Sequence, residues 1–290
     1  MIIGCTGNFR KKEFYTILSK VHDILSLNNI NYYISSDLQK NFNNEINKEY
    51  KLLDFEDLVN RCDLIFAIGG DGTILSTVRR MGQKNKPVMG IHIGGLGFLS
   101  ECVDDNLEES INEVLDGNYT ILERMLLEVR INVNNDSHQV FWAFNDIVIN
   151  SGQSTRMLKV KVKVSNHYLN TFSGDGIIMA TPTGSTAYSL SSGGPIIFPE
   201  LDSITVTPIC PHSLSARPIV IRPEEKIQLS FPDNYNNLNV SIDGQVNISI
   251  NSNTQVNVCR ARHTAQLVSL YNYEYFKTLR TKMGWSGNIR

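Results

Sequence analysis

The chain has 290 residues, 41% hydrophobic and 19% charged, a length that suits two domains of ordinary size and a composition that excludes disorder of the whole chain. Twenty-seven basic residues against 29 acidic ones leave a net charge of −2, which gives no electrostatic footprint for nucleic acid or an anionic membrane. The five cysteines are scattered without a CxxC pair, which argues against a disulfide framework or a zinc knuckle.

The apolar run Leu64–Ile68 is far too short to span a bilayer, and the start, Met-Ile-Ile-Gly-Cys-Thr-Gly-Asn-Phe, lacks the basic-then-apolar build of an export signal. The expectation is a reduced, soluble, cytoplasmic protein with neither a nucleic-acid nor a membrane partner.

The first third alternates between short apolar stretches and helical spacing. Ile2 and Ile3 open a strand that ends among Gly4 and Gly7, and Phe14, Ile17, Leu18, Val21, Ile24 and Leu25 then recur at helical intervals. A stretch at Tyr32–Ile34 and a helix around Phe55, Leu58 and Val59 precede a strand over Asp63–Ile68. Gly69-Gly70-Asp71-Gly72 breaks that strand, a helix follows over Thr73–Met81, a strand over Pro87–Ile91, and a helix over Leu107–Leu115. Such alternation predicts an open parallel sheet with flanking helices.

From Tyr119 onwards the pattern changes to short Val-, Ile-, Phe- and Thr-rich runs between Asn, Gly, Asp and Pro. Strands are expected at Leu126–Val133, Val140–Asn150, Leu158–Val164, Ile204–Ile209, Ile219–Arg222, Ile227–Phe231, Leu238–Ile242, Val246–Ile250, Gln255–Arg260 and Gln266–Leu270. The tail Tyr273–Met283 reads as a helix. The fold class is therefore α/β plus β: an α/β domain over 1–118 with 271–290, and a β-rich domain over 119–270.

Three segments carry chemistry. In Ile65-Phe66-Ala67-Ile68-Gly69-Gly70-Asp71-Gly72-Thr73 a buried strand delivers the chain to a glycine turn and a helix begins at once. Gly69, Gly70 and Thr73 suit a phosphate cradle, because glycine lets backbone N–H groups approach an anion and a helix N-terminus adds unpaired donors. A carboxylate repels phosphate, so Asp71 has another use: a base for an acceptor hydroxyl, a group acting through Mg²⁺, or the N-cap of the Thr73 helix. Gly90-Ile91-His92-Ile93-Gly94-Gly95-Leu96-Gly97-Phe98-Leu99 is a second strand ending in a glycine turn, which reads as ligand-binding or as a flexible connection. Phe172-Ser173-Gly174-Asp175-Gly176, continuing through Thr181-Pro182-Thr183-Gly184-Ser185-Thr186-Ala187-Tyr188 to Ser191, is dense in hydroxyls and glycine but poor in charge. Thr186 and Ser191 could bond base or ribose edges and Tyr188 could lie against a ring. Asn145-Asp146 interrupts the apolar run Phe141–Ile149, so its polar groups are either satisfied internally or face a ligand.

Together with Gly193-Gly194-Pro195, Pro211-His212-Ser213-Leu214, Arg217-Pro218 and Asp243-Gly244-Gln245, these segments resemble the NAD kinase family over about residues 65 to 245. The first motif also resembles diacylglycerol-type lipid kinases; the Thr181–Tyr188 run is far more specific. The resemblance implies phosphorylation of the 2′-hydroxyl of the adenosine ribose of NAD, with ATP or another donor and a divalent cation such as Mg²⁺. It implies Asp71 as general base, Gly72 beside the substrate phosphates, and Asn145 and Asp146 on ribose and adenine. Asp175, Thr183, Thr186, Ala187, Tyr188 and Ser191 follow as further dinucleotide contacts, with Arg156 and Gln245 at the edge. Many members carry Arg or Lys where Ser173 stands, and Arg156 is the candidate to replace that charge. No metal-ligand set is formed by the six histidines, and His212 beside proline reads as structural. The resemblance also implies a homo-oligomer, a tetramer with part of each dinucleotide site at a subunit contact. A lipid kinase and a dinucleotide sensor without turnover are the alternatives.

Overall fold

The computed structural model describes residues 1–41, 50–95, 97–134, 137–152, 156–271 and 274–285, so Leu96 of the second glycine turn and Tyr273 of the tail lie outside the described residues. The chain divides into two compact units, Met1–Glu123 with Gln266–Arg290, and Arg124–Ala265.

The first unit runs β1 (Ile2–Gly7), α1 (Phe14–Leu27), β2 (Asn31–Ser35), β3 (Leu52–Leu53), α2 (Phe55–Arg61), β4 (Leu64–Gly69), α3 (Asp71–Met81), β5 (Val88–His92), β6 (Cys102–Val103) and α4 (Leu107–Leu115). Its strands pair in the order β3-β2-β1-β4-β5, all parallel. Every residue of β4 is buried, as a central strand covered on both faces requires. Phe14, Ile17, Leu18, Val21 and Leu25 put one stripe of α1 into a core shared with Ile3, Phe66, Ile91 and Ile111.

The second unit holds two antiparallel sheets. Its elements are β7 (Tyr119–Asn134, which starts in the first unit), β8 (Ser137–Ala143), β9 (Asp146–Asn150), β10 (Leu158–Val164), β11 (His167–Gly174), β12 (Gly176–Ala180), α5 (Tyr188–Ser191), β13 (Ile204–Ile209), β14 (Ile219–Ile221), β15 (Ile227–Ser230), β16 (Leu238–Ile242), β17 (Val246–Ile250) and β18 (Gln255–Leu270). One sheet contains β11-β10-β15-β18 with the β7–β8 hairpin, and the other runs β14-β13-β12-β9-β16-β17. A single core takes side chains from both, among them Leu127, Val160, Leu229 and Val258 from the first and Ile149, Met179, Val206 and Val240 from the second. In β10 the lysines at 159 and 161 are exposed while Leu158, Val160 and Val162 are buried, the alternation expected of a half-exposed strand. The chain then returns to the first unit, where Leu267 of β18 pairs in parallel with Val88 of β5 and α6 (Tyr275–Met283) follows.

Three expectations need correction, and one strand carried no signal. The run Val140–Asn150 is not one strand: it breaks after Ala143, β8 pairing with β7 in one sheet and β9 with β12 and β16 in the other. The two strands expected at Gln255–Arg260 and Gln266–Leu270 are one, because strand neighbours carry the polar stretch between them. The β11 strand, which contains Ser173, went unread: His167–Asn170 carries no apolar alternation and is set by its pairing with β10. Helix α3 starts at Asp71 with Gly70 as N-cap, so Asp71 is not the cap.

Candidate active site: two glycine turns and a hydroxyl-rich loop

In the first unit, β4 ends at Gly69 and α3 begins at Asp71, leaving Gly70 as the only residue of the turn. The Thr73 hydroxyl accepts the Gly70 N–H at 3.3 Å, so Thr73 turns back to cap the helix. Asp71 is half-buried and Gly72 exposed. The Asp71 carboxylate is held from the second glycine turn: Phe98 N–H donates to Oδ2 at 2.9 Å and Leu99 N–H to Oδ1 at 3.2 Å. Gly97 is glycine for that reason, since a Cβ there would fall on the same carboxylate. The second turn is thus no flexible connection. It orients Asp71, and the two glycine segments act as one structure. His92, at the end of β5, has its imidazole held below its ordinary range by burial, with Asp71 acting in the opposite direction.

In the second unit the centre is a buried carboxylate to which the sequence reading gave no role. Asp243 sits in the left-handed region (φ 50°) at the β16–β17 turn. Its Oδ1 accepts the N–H of Asn145 at 2.7 Å and of Asp146 at 3.2 Å, and its Oδ2 that of Phe144 at 3.1 Å. These bonds replace sheet pairing where β8 passes to β9 and leave Asn145 half-buried with Asp146 behind it. Thr181 is fully buried: its hydroxyl donates to the Phe144 carbonyl at 2.6 Å and accepts the Gly184 N–H at 2.9 Å. A Cβ on Gly184 would collide with the Asn145 backbone, so the hydroxyl-rich loop lies directly on the Asn145 turn. The signal that could have exposed Asp243 was a carboxylate closing an otherwise apolar strand, in Val240-Ser241-Ile242-Asp243-Gly244.

The hydroxyls of that loop divide by direction. Ser185 Oγ donates to the Pro182 carbonyl at 2.6 Å and accepts the Ile197 N–H at 3.0 Å, and Ser189 Oγ pairs with Thr207 Oγ1 at 3.1 Å; both serines are buried. Thr183 is buried as well. Thr186 and Ala187 are half-buried, while Ser191 and Tyr188 are exposed. The Tyr188 N–H, at the start of α5, bonds the Asp146 carboxylate. Burial first, and the charge of Asp243 second, push the Asp146 carboxyl up to about 7 against that bond.

Register separates the remaining residues. Ala180 of β12 pairs with Asp146, and Gly176 at its other end with Asn150. Ser173 and Asp175 therefore lie a strand length from Asp146, on the order of 15–20 Å at about 3.3 Å per residue. Arg156 belongs with them: it is exposed two positions before Leu158, the partner of Gly174. At that end Ser173 O accepts the His212 N–H and Asp175 N–H bonds Ile209 O. Exposed Gln245 follows Asp243 and lies at the Asp146 end.

Among the described residues no three His, Cys, Asp or Glu side chains converge on a point that would hold a metal. A Mg²⁺ ion carried on nucleotide phosphates asks a protein for one or two carboxylates only, and the oriented Asp71 beside the Gly69-Gly70 turn is a donor set that fits this use. Among the described residues no helix is long and apolar enough to cross a membrane.

Comparison with known proteins gives a consistent result. The model of the ATP-NAD kinase N-terminal domain matches residues 3–119, and that of the ATP-NAD kinase C-terminal domain residues 144–270. The chain is 38% identical over 230 residues to the NAD kinase of Geotalea daltonii, covering 79% of this chain and 81% of that protein. It is 40% identical over 233 residues to the NAD kinase of Geobacter sulfurreducens, with the same coverage. Among solved structures, yeast NADH kinase complexed with NADH superposes with a TM-score of 0.88 at 28% identity, covering 100% of this chain and 89% of that one. An NAD kinase from Archaeoglobus fulgidus in complex with ATP shares the fold, with a TM-score of 0.76 at 23% identity over 99% of this chain and 100% of that one. The chain belongs to the NAD kinase family.

Proposed function

We propose that this protein is a phosphotransferase that moves the terminal phosphoryl group of ATP to the 2′-hydroxyl of the adenosine ribose of NAD, giving NADP and ADP. The observation that carries the mechanism is the Asp71 carboxylate, fixed by the N–H groups of Phe98 and Leu99 at the start of α3. A ribose hydroxyl is a poor nucleophile until its proton has an acceptor. Asp71 takes that proton as the ribose oxygen bonds to the γ-phosphorus, and the bond from phosphorus to the β,γ-bridging oxygen breaks, leaving ADP. The N–H groups of Phe98 and Leu99 keep the carboxylate in one orientation, which is the positioning contribution. A Mg²⁺ ion brought by the donor would be held from the protein side by Asp71 and would supply charge neutralisation.

In the second unit Asn145, Asp146, Thr186, Ala187, Tyr188, Ser191 and Gln245 form the dinucleotide site, with Tyr188 as the exposed ring that receives a flat surface. Thr183, Ser185 and Ser189 serve as its scaffold. Ser173, Asp175 and Arg156, a strand length from Asp146, complete a dinucleotide site of a neighbouring copy, and the working form is a homotetramer. The distance along β12 supports that division. The five cysteines are all free thiols, as suits a cytoplasmic location. The match of residues 144–270 to an ATP-NAD kinase domain favours this reading over a lipid kinase or a sensor. A coupled assay of NADP formation from NAD and ATP tests it; no NADP above the enzyme-free rate overturns it.

A further inference from the structure

Two side chains converge on the first glycine turn from outside the motif. The position a Cβ would occupy on Gly70 lies 3.4 Å from His92 Nε2 and 3.5 Å from Lys11 Nζ. Both groups reach this point from different segments of the first unit: Lys11 from the loop between β1 and α1, His92 from the end of β5. The Lys11 ammonium is anchored by a bond to the Ile93 carbonyl at 2.9 Å, which is a neutral partner, so its positive charge stays available to an anion. An ammonium carries three N–H donors, and that bond takes one. A second cation, Lys282 of α6, also acts on His92 and adds to the positive field. The His92 ring already bonds the Gly94 backbone, and a phosphate over Gly70 favours its imidazolium form, whose two N–H groups serve Gly94 and the anion together. Opposing these groups is the Asp71 carboxylate, already committed to two backbone N–H groups. The start of α3 adds its own dipole.

We propose that Lys11 and His92 clamp the terminal phosphates of the phosphoryl donor over Gly70, Lys11 supplying charge and Nε2 of His92 a directed hydrogen bond. The ligand class is a polyphosphate chain, recognised without its base. Neither residue belongs to the Gly69–Thr73 motif: Lys11 lies some 60 residues before it in sequence, and His92 is the last residue of β5, in the second glycine segment. The inference rests on the kinase reading above and adds the residues that set donor affinity.

The test is initial-rate kinetics on wild type, Lys11→Met, Lys11→Arg and His92→Gln, with ATP and NAD varied separately and inorganic tripolyphosphate as a competitor of ATP. Charge-assisted bonds to phosphate are the strong class, so Lys11→Met should raise both the KM for ATP and the inhibition constant of tripolyphosphate by about tenfold or more. The KM for NAD should stay within about twofold, since uniform binding of the other substrate is untouched. Lys11→Arg should recover most of the loss, and His92→Gln should show the same selective effect in smaller measure. Unchanged ATP and tripolyphosphate constants in both Lys11→Met and His92→Gln overturn the clamp, as does an equal rise in the KM for NAD. If wild type itself makes no NADP, the kinase reading fails; if wild type is active and the variants match it, the clamp alone fails. Should Lys11→Met not fold, His92→Gln carries the test.

Discussion

The Asp243 carboxylate accepts the backbone N–H of Asn145 at 2.7 Å across 98 residues of sequence. It takes two further N–H groups in the same turn, so a hairpin tip dictates where the strand β8 ends and how Asn145 and Asp146 are presented. Replacing Asp243 by Asn leaves one oxygen where three donors point at two. An unpaired buried donor costs about 1–3 kcal/mol, and we expect a loss of stability of that order with a raised KM for NAD. Urea denaturation and NAD-dependent kinetics check both; an unchanged KM for NAD would show the turn to be scaffold only.

Asp71→Asn should lower kcat at least about a hundredfold, because it removes the basicity while keeping the shape. The two N–H donors to Asp71 also change what to expect of stability. One of them would meet the new NH₂ group, so the melting temperature should fall, by the equivalent of about 1–3 kcal/mol. The rates are therefore to be compared well below the melting point of the variant. More than about a tenth of wild-type kcat remaining would be too much for a lost general base.

Gly97→Ala places a methyl group on the Asp71 carboxylate. A misplacement of about 1 Å can cost on the order of a hundredfold, and the variant should lose kcat on that scale while still binding NAD. Steady-state kinetics with a thermal melt decide it: kcat at more than half of wild type would mean that Asp71 needs no fixed orientation.

Asp146 makes stability depend on pH with a definite sign. Its carboxyl is held up at about 7 in the folded protein against about 3.9 in an unfolded chain. Below about pH 4 it is protonated in both states, and its contribution is fully present. Between there and about 7 the folded protein keeps a proton that the unfolded chain has released, so stability falls as pH rises and levels off above that. Asp146→Asn should remove this slope. Its urea stability relative to wild type should improve from pH 5 to pH 8 by at least about 1.4 kcal/mol, the equivalent of one pKa unit. Parallel profiles for the two proteins would refute the assignment.

Tyr188 is 47% exposed, so its ring contributes little to the core. Tyr188→Ala should raise the KM for NAD several-fold with a smaller effect on kcat and a melting temperature near wild type. In sedimentation, a single fully active species of 32.6 kDa at micromolar concentration would rule out the tetramer.

Much of this was legible in the sequence because local chemistry and fold agree. The buried run Leu64–Gly69, the stripe Phe14–Leu25 and the lysine alternation of Leu158–Val164 each ended up as the periodicity required. The glycine turns and the hydroxyl-rich loop stood out for the same reason. Tertiary partners decided the rest. Nothing local shows that Phe98 and Leu99 would bind Asp71, that Asp243 would break the run Val140–Asn150, or that Ser185 and Ser189 would turn inward while Ser191 stays out. A helix cap was one of the uses the sequence left open for Asp71; Gly70 holds that place, and the carboxylate instead accepts from a segment 27 residues away.

The return of residues 266–285 to the first unit sets an order of events during synthesis. The second unit, Arg124–Ala265, is continuous and can complete its two sheets as soon as it has left the ribosome. The first unit cannot: Val88 of β5, paired with Ile65 of β4 on one side, has no partner on the other until Leu267 exists, and the Glu101 carboxylate waits for the hydroxyl of Ser269 and the N–H of Leu270, which it binds at 2.8 and 2.7 Å. Until then the nascent chain carries an unpaired strand edge, the kind of surface that recruits other chains. The part of the protein made first is finished last, and a released chain ending at residue 265 would hold a finished β-domain behind an open parallel sheet.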